Sequence, residues 1–277
     1  MKVKLIANTE LNMDAVDHWF DDDDSDILDD GSDRVYDNRW QMGEYVSHNH
    51  ATKFTAIPGS DHYEMTFEGE RVEYADELAE IAGRLCYKSW SRPNPATGTN
   101  QGYLSNIISQ AHFSVLEHGS ATFWISGVSR SLTHELVRHR HLSFSQVSQR
   151  YVDESEGEYV IHPAIRAHDK MDSPFVPEGV IAASMGEHND VSRGSYQRIV
   201  EYLVEQGVDR KTARGAARGV LPNATATELI VTGNHRTWRE VLSKRLAPGA
   251  DAEIQALAAA LLVELRKIAP NTYQDFE

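Results

Sequence analysis

Eighteen consecutive residues, HELVRHRHLSFSQVSQRY at 134–151, carry three arginines and three histidines with a single acid, Glu135, in a chain of net charge −15. A guanidinium presents a rigid fork of donors that matches phosphate oxygens two at a time. Arg138, Arg140 and Arg150 in one short segment therefore point to a phosphorylated ligand. Ser143, Ser145, Gln146, Ser148 and Gln149 add neutral donors and acceptors suited to orienting a polar ring. The competing reading is a solvated basic turn. A zinc site is a third possibility, prompted by His134, Glu135, His139 and His141. Zincins set two histidines four apart on one helical face, whereas His134 and His139 are five apart, about 140° round a helix.

Other segments share the pattern. Arg138, His139 and Arg140, then seven residues, then Ser148, resemble the R-H-R-x7-S signature of the flavin-dependent thymidylate synthases. HFSVLEH (112–118), YKSWSRPNPATGTNQGYL (87–104), ARGVLPNATAT (217–227) and VTGNHRTWR (231–239) are similar to actinobacterial-type members of that family. The resemblance covers most of 72–277 together with a short first strand.

That resemblance implies binding of deoxyuridine monophosphate (dUMP) by Glu135, Arg138, Gln146, Ser148, Gln149, Arg150, Arg218 and Arg245. Arg150 is the phosphate anchor and Ser148 a substrate-orienting hydroxyl of the catalytic centre. Arg245 is the residue implied to favour loss of the uracil N3 proton, since a nearby cation stabilises an anionic ring. Taken by itself, between Lys244 and a Pro-Gly turn, Arg245 would read as a surface charge. Flavin (FAD) contacts are implied for Ser114, His118, Arg138, His139, Arg140, Asn234, His235, Arg236 and the position of Glu240. Glu117, next to His118, reads either as fixing its tautomer or as part of a capped turn. Three positions depart from the pattern: Gln146 stands where some members carry Glu, Glu240 where relatives carry His or Asn, and Gly249 where His is common.

The implied reaction is reductive methylation of dUMP to thymidine monophosphate (dTMP), with NADPH and methylenetetrahydrofolate as cosubstrates, in a homotetramer with shared active sites. It needs no cysteine nucleophile, and the one cysteine, Cys86, reads as a core residue of a helix. The rival function is a non-enzymatic nucleotide or nucleic-acid binder using the same arginines. The 42 acids against 27 Lys and Arg argue against a general nucleic-acid binder.

The elements that must position these residues read as α+β in one catalytic domain, 1–277. Lacking a G-x-G-x-x-G turn, the flavin site is expected to be non-Rossmann. Strands are expected at 3–7, 121–126 and 159–162. Helices are expected at 76–87, 103–109, 128–138, 178–206 and 209–219, with an irregular loop at 90–100. The clearest helix carries Ile254, Leu257, Leu261, Leu262, Leu265 and Ile268 and stops at Pro270. The 128–138 helix delivers the arginines at its C-terminal end, where cations complement the helix dipole.

Residues 10–72 read as an acidic insertion: eleven aspartates lie between Asp14 and Asp37, and a small hairpin fits 53–72. A calcium loop fails there, because placing Gly31 sixth puts Leu28 at a ligand position. A single cysteine, no secretory pattern and no apolar run near the roughly 18 residues of a membrane span lead to the expectation of a cytoplasmic protein without membrane contact.

Overall fold

The structure is a computed structural model and describes residues 1–12, 50–56, 63–87, 89, 95–169 and 179–276, with backbone only for 50–56 and 63–71. Most of the acidic stretch, the calcium-loop candidate and part of the 90–100 loop lie outside the described residues.

Strands β1 (Lys2–Asn8), β2 (His50–Ala56) and β3 (Tyr63–Arg71) come first, followed by helices α1 (Tyr74–Tyr87) and α2 (Asn100–Ser109). Next come β4 (Ser120–Ser129), α3 (Arg130–Leu136), β5 (Ser143–Gln146), α4 (Pro163–His168), α5 (Val180–Glu205) and α6 (Arg210–Ala217). The chain ends with β6 (Ala226–Asn234), α7 (His235–Arg245) and α8 (Ala252–Ile268). Four strands form one sheet in the order β1-β4-β6-β5, and β2 pairs antiparallel with β3, the hairpin expected from the sequence. Helices with a small sheet make the class α+β.

The chain divides into two compact units. One comprises Met1–Ile6, Thr122–Gly233 and Glu240–Leu261; the other comprises Ala7–Ala121, Asn234–Arg239 and Leu262–Glu277.

In the first unit, β4 buries Phe123 and Ile125, and β6 buries Thr227, Leu229, Val231 and Gly233. This is the period-two alternation of strands covered on one face. On the intervening positions Thr122 and Thr232 share a hydrogen bond of 3.0 Å, and Trp124 Nε1 donates to Glu228 at 3.2 Å. The β5 strand, four residues of the arginine segment, pairs antiparallel with β6 from Ser143↔Thr232 to Gln146↔Leu229.

In the second unit, Ala79, Tyr103, Leu104, Ile107, Val115 and Leu116 form the core. Of the expected Leu78–Ile81–Leu85–Cys86 stripe in α1, Ile81 is buried and Leu78 and Leu85 are half-buried, but Cys86 is exposed. Beside Ile81 the helix buries Ala75, Asp76, Glu77, Ala79, Glu80, Gly83 and Arg84. Small residues decide this face. A Cβ on Gly83 would lie 2.2 Å from the Tyr103 hydroxyl, so α2 approaches where α1 has no side chain. Two of the acids this buries are hydrogen-bonded: Arg84 Nε donates to Glu80 at 2.7 Å, Asn100 Nδ2 donates to Glu80 at 2.7 Å, and Asp76 accepts from the backbone of Asn271 and Thr272.

Two further boundaries differ from expectation. Residues 159–162 supply one isolated bridge, Tyr159 with Thr225, rather than a strand, because Pro163 already opens α4. The 128–138 helix is shorter at both ends. Strand β4 runs through Gly127 to Ser129, and Arg138 and His139 donate from i to i−3, tightening the chain out of α-helix after Leu136.

Candidate active site

Three elements of the first unit bring Glu135, His139 and Arg245 into contact. Helix α3 ends at Leu136, and the tight turn that follows swings His139 to the buried side while Arg138 and Arg140 stay exposed. Arg245, the last residue of α7, donates from Nε to His139 Nε2 at 3.0 Å, from Nη1 to Glu135 Oε2 at 2.8 Å and from Nη2 to the Glu135 carbonyl at 3.2 Å. Its plane is thus fixed by three bonds before any ligand arrives. Accepting from Arg245 requires an unprotonated Nε2, so the His139 ring is neutral with its proton on Nδ1. Burial, then the Arg245 and Lys244 cations, hold the His139 pKa below its usual value, against an opposing pull from Glu240.

A second grouping forms where residues 148–153 meet α6. Arg214 donates to the Tyr151 carbonyl and to Asp153, both at 2.7 Å, clamping the turn that carries Arg150. The Arg150 stem lies over Gly215: a Cβ there would be 3.7 Å from its Cγ and Nε. Ser148 Oγ accepts from the Arg150 N–H at 3.4 Å, so its hydroxyl helps shape the same turn. Lys211 Nζ sits 4.7 Å from the Tyr151 ring centroid, and its hydrogen bond lowers the phenol pKa. Gln146 donates to Thr133 of α3 at 3.2 Å and to Thr227 of β6 at 3.4 Å, leaving its carbonyl oxygen for a ligand. Gln149 is buried.

Arg130 escaped the sequence reading. At the start of α3, half-buried, it donates to the Val147 carbonyl at 3.5 Å and lies within electrostatic reach of Glu154 and Arg218. Burial is the main cause of its lowered pKa. Only its placement marks it, since an isolated arginine after a strand has no sequence signal.

Arg138, Arg140, Arg150 and Arg218 are exposed and, among the described residues, carry no ion pair. In a chain with fifteen more acids than Lys and Arg, neutralisation would be the expected fate of such groups. Glu240, the acid in an unexpected position, pairs instead with Lys244 one helical turn on, which lowers its pKa.

The remaining candidates belong to the second unit. Asn234 Oδ1 accepts from Thr237 N at 2.9 Å and Thr237 Oγ1 at 2.8 Å, a helix cap for α7. His235 is buried, its Nδ1 2.8 Å from the Tyr273 hydroxyl and its Nε2 without a hydrogen-bond partner among the described residues, and burial pushes its pKa down to about 4. Arg236 pairs with Glu117, so Glu117 is engaged by an arginine rather than by the adjacent His118. Ser114 and His118 are exposed.

Comparison with known proteins identifies the family. A family model described as "Thymidylate synthase complementing protein" matches residues 70–271. A flavin-dependent thymidylate synthase of Mycobacterium marinum is 48% identical over 209 residues, spanning 73% of this chain and 80% of the relative. The chain belongs to the flavin-dependent thymidylate synthase family. The protein of that name from Mycobacteroides abscessus is 47% identical over 207 residues, 72% of this chain and 79% of its own. That from Mycobacterium sp. (strain KMS) is 44% identical over 237 residues, 82% and 87% of the two chains. Membership gives the pinned Arg245 and the unpaired arginines a chemical context: a family whose members are named for a flavin and for thymidylate. No helix of the described residues is long and apolar enough to cross a membrane.

Proposed function

We propose that the protein is a flavin-dependent methyltransferase that converts dUMP, methylenetetrahydrofolate and NADPH into dTMP, tetrahydrofolate and NADP⁺. The observation that carries this reading is Arg245 held in one orientation by Glu135 and His139, next to the acid-poor arginine segment, in a chain of this family. A guanidinium whose three nitrogens are already anchored loses little freedom when a pyrimidine ring meets its remaining N–H groups. Its charge stabilises the ring once N3 has lost its proton, which raises electron density at C5, the carbon to be methylated. Arg150 and Arg218 hold the nucleotide phosphate, with Arg138, Gln146, Ser148 and Gln149 orienting the rest.

The residues present fit a flavin. Arg138 and Arg140 are exposed and, among the described residues, carry no ion pair, and the one acid in the cofactor set, Glu240, is paired with Lys244. In the first unit Arg138, His139 and Arg140 would contact the cofactor; in the second, taken by itself, Ser114, His118, Asn234, His235 and Arg236 are the residues proposed for flavin contact. FAD, when bound, supplies the capacity to accept and pass on a hydride. The pocket is non-Rossmann, the whole of 1–277 acts as one catalytic domain with an acidic insertion at 10–72, and the working form is a homotetramer.

The test is a visible spectrum of the purified protein during FAD titration, followed by chromatographic search for dTMP in the complete mixture. Saturable flavin binding and NADPH-dependent dTMP are expected. A protein that binds no flavin, or binds it and forms no dTMP, overturns the proposal.

A further inference from the structure

Helix α3 has seven residues, about 10 Å, too few to hold its own conformation. Its C-terminal end is gripped by Arg245. The N-terminal end is gripped by Glu253, whose carboxylate accepts from Ser129 N at 2.8 Å and Ser129 Oγ at 2.6 Å. Ser129 is the N-cap, and its hydroxyl oxygen in turn accepts from Leu132 N at 3.0 Å. A carboxylate only accepts, so the Ser129 hydroxyl must point its proton at Glu253 and its lone pairs at the helix. Both residues are 3% exposed, and no other hydrogen bond among the described residues uses the Glu253 carboxylate.

Arg245 and Glu253 are the two ends of one short connection. It is tied internally by Gln255 Nε2 to the Ala247 carbonyl at 2.7 Å, Ala250 N to the same carbonyl at 3.0 Å and Glu253 N to Asp251 at 2.9 Å. Residues 245–253 therefore act as a bracket whose ends hold the two ends of α3.

We infer that Glu253 is a positioning residue for the reaction: through Ser129 it fixes the axial position and rotation of α3, and so where Glu135 and His139 meet Arg245. This rests on the proposed thymidylate synthase activity. Glu253→Asp retracts the carboxylate by one methylene, whereas Glu253→Gln keeps the length and can still accept from Ser129 N while donating to Ser129 Oγ.

The experiment compares kcat and the KM for dUMP in flavin-loaded full-length protein, wild type and Glu253→Asp, Glu253→Gln, Arg245→Ala and the Asp/Ala double variant. A displacement near 1 Å in a reacting site costs on the order of 10²-fold in rate. Glu253→Asp is expected to lower kcat by roughly 10- to 100-fold with KM within about threefold, and Glu253→Gln to recover most of the rate. In the Arg245→Ala background the same Asp substitution should cost less than about threefold, since the alignment it serves is gone. Should Glu253→Asp not fold, Ser129→Ala takes its place in the same cycle. Wild-type kcat in the shortened variant, or losses that multiply in full with Arg245→Ala, would overturn the inference while wild-type dTMP synthesis left the function standing. Wild-type protein that makes no dTMP would overturn both.

Discussion

Replacing His139 by alanine removes the acceptor that faces Arg245 Nε at 3.0 Å and leaves a charged donor unmatched beside a site only 7% exposed. Hydrogen bonds to charged groups contribute about 1.5–3 kcal/mol. The ion pair that remains, to Glu135, is weakened by exposure of the carboxylate and holds the guanidinium by one side only. If all of that energy serves to orient Arg245, kcat falls about 10- to 150-fold, at 1.36 kcal/mol per decade. His139→Gln, whose amide oxygen can accept in place of Nε2, should recover a large part.

The same contact gives a pH signature. Because the His139 pKa lies below its ordinary value, the ring is neutral and the bond intact through neutral pH. As pH falls through that depressed pKa, Nε2 gains a proton, becomes a donor opposite a donor, and Arg245 keeps only its bonds to Glu135. The kcat profile should therefore carry an acid limb in the wild type that disappears in His139→Gln. Single-turnover dTMP formation across pH measures both effects. Wild-type rates in His139→Ala, or an acid limb unchanged in His139→Gln, would refute the reasoning.

Three further outcomes are expected. Arg150→Ala should weaken dUMP binding by about 1.5–3 kcal/mol, read by calorimetry, with unchanged affinity removing its role as phosphate anchor. Gly83→Ala places a methyl group 2.2 Å from the Tyr103 hydroxyl and should destabilise the second unit by about 1–3 kcal/mol, seen as a lower denaturation midpoint. His235, with a folded pKa of about 4 against the usual 6.5, takes up a proton on unfolding between those values, so its contribution to stability is present above pH 6.5 and lost as pH falls toward 4. His235→Asn should flatten that part of the stability profile, and an unaltered slope in urea titrations would contradict the assignment.

The candidate site was legible in the sequence wherever chemistry and local spacing coincide. The R-H-R segment, Gln146 and Arg150 stand out because guanidinium groups without nearby acids are rare in so acidic a chain. Arg245 was not legible by local chemistry: its partners, Glu135 and His139, are more than a hundred residues away, and only family resemblance marked it. Glu253 had no signal, since an acid in the first turn of a helix is ordinary. For the fold, the apolar stripe of α8 reads directly as helix, and its observed limits, Ala252–Ile268, end just before Pro270. In α1 the expected stripe was right for Ile81 and wrong for Cys86, and the buried face extends to Gly83, where the lack of a side chain admits Tyr103. Strands β5 and β6 were not foreseen, because β5 is four polar-rich residues whose extended form depends on pairing with β6.

The most direct measurement of the central claim is release of tritium from C5-labelled dUMP by the flavin-loaded protein, with each cosubstrate omitted in turn. The account predicts release in the complete mixture with NADPH and methylenetetrahydrofolate, and its near-abolition in Arg245→Ala. Undiminished release from Arg245→Ala, or none from the wild type with every component present, would contradict it.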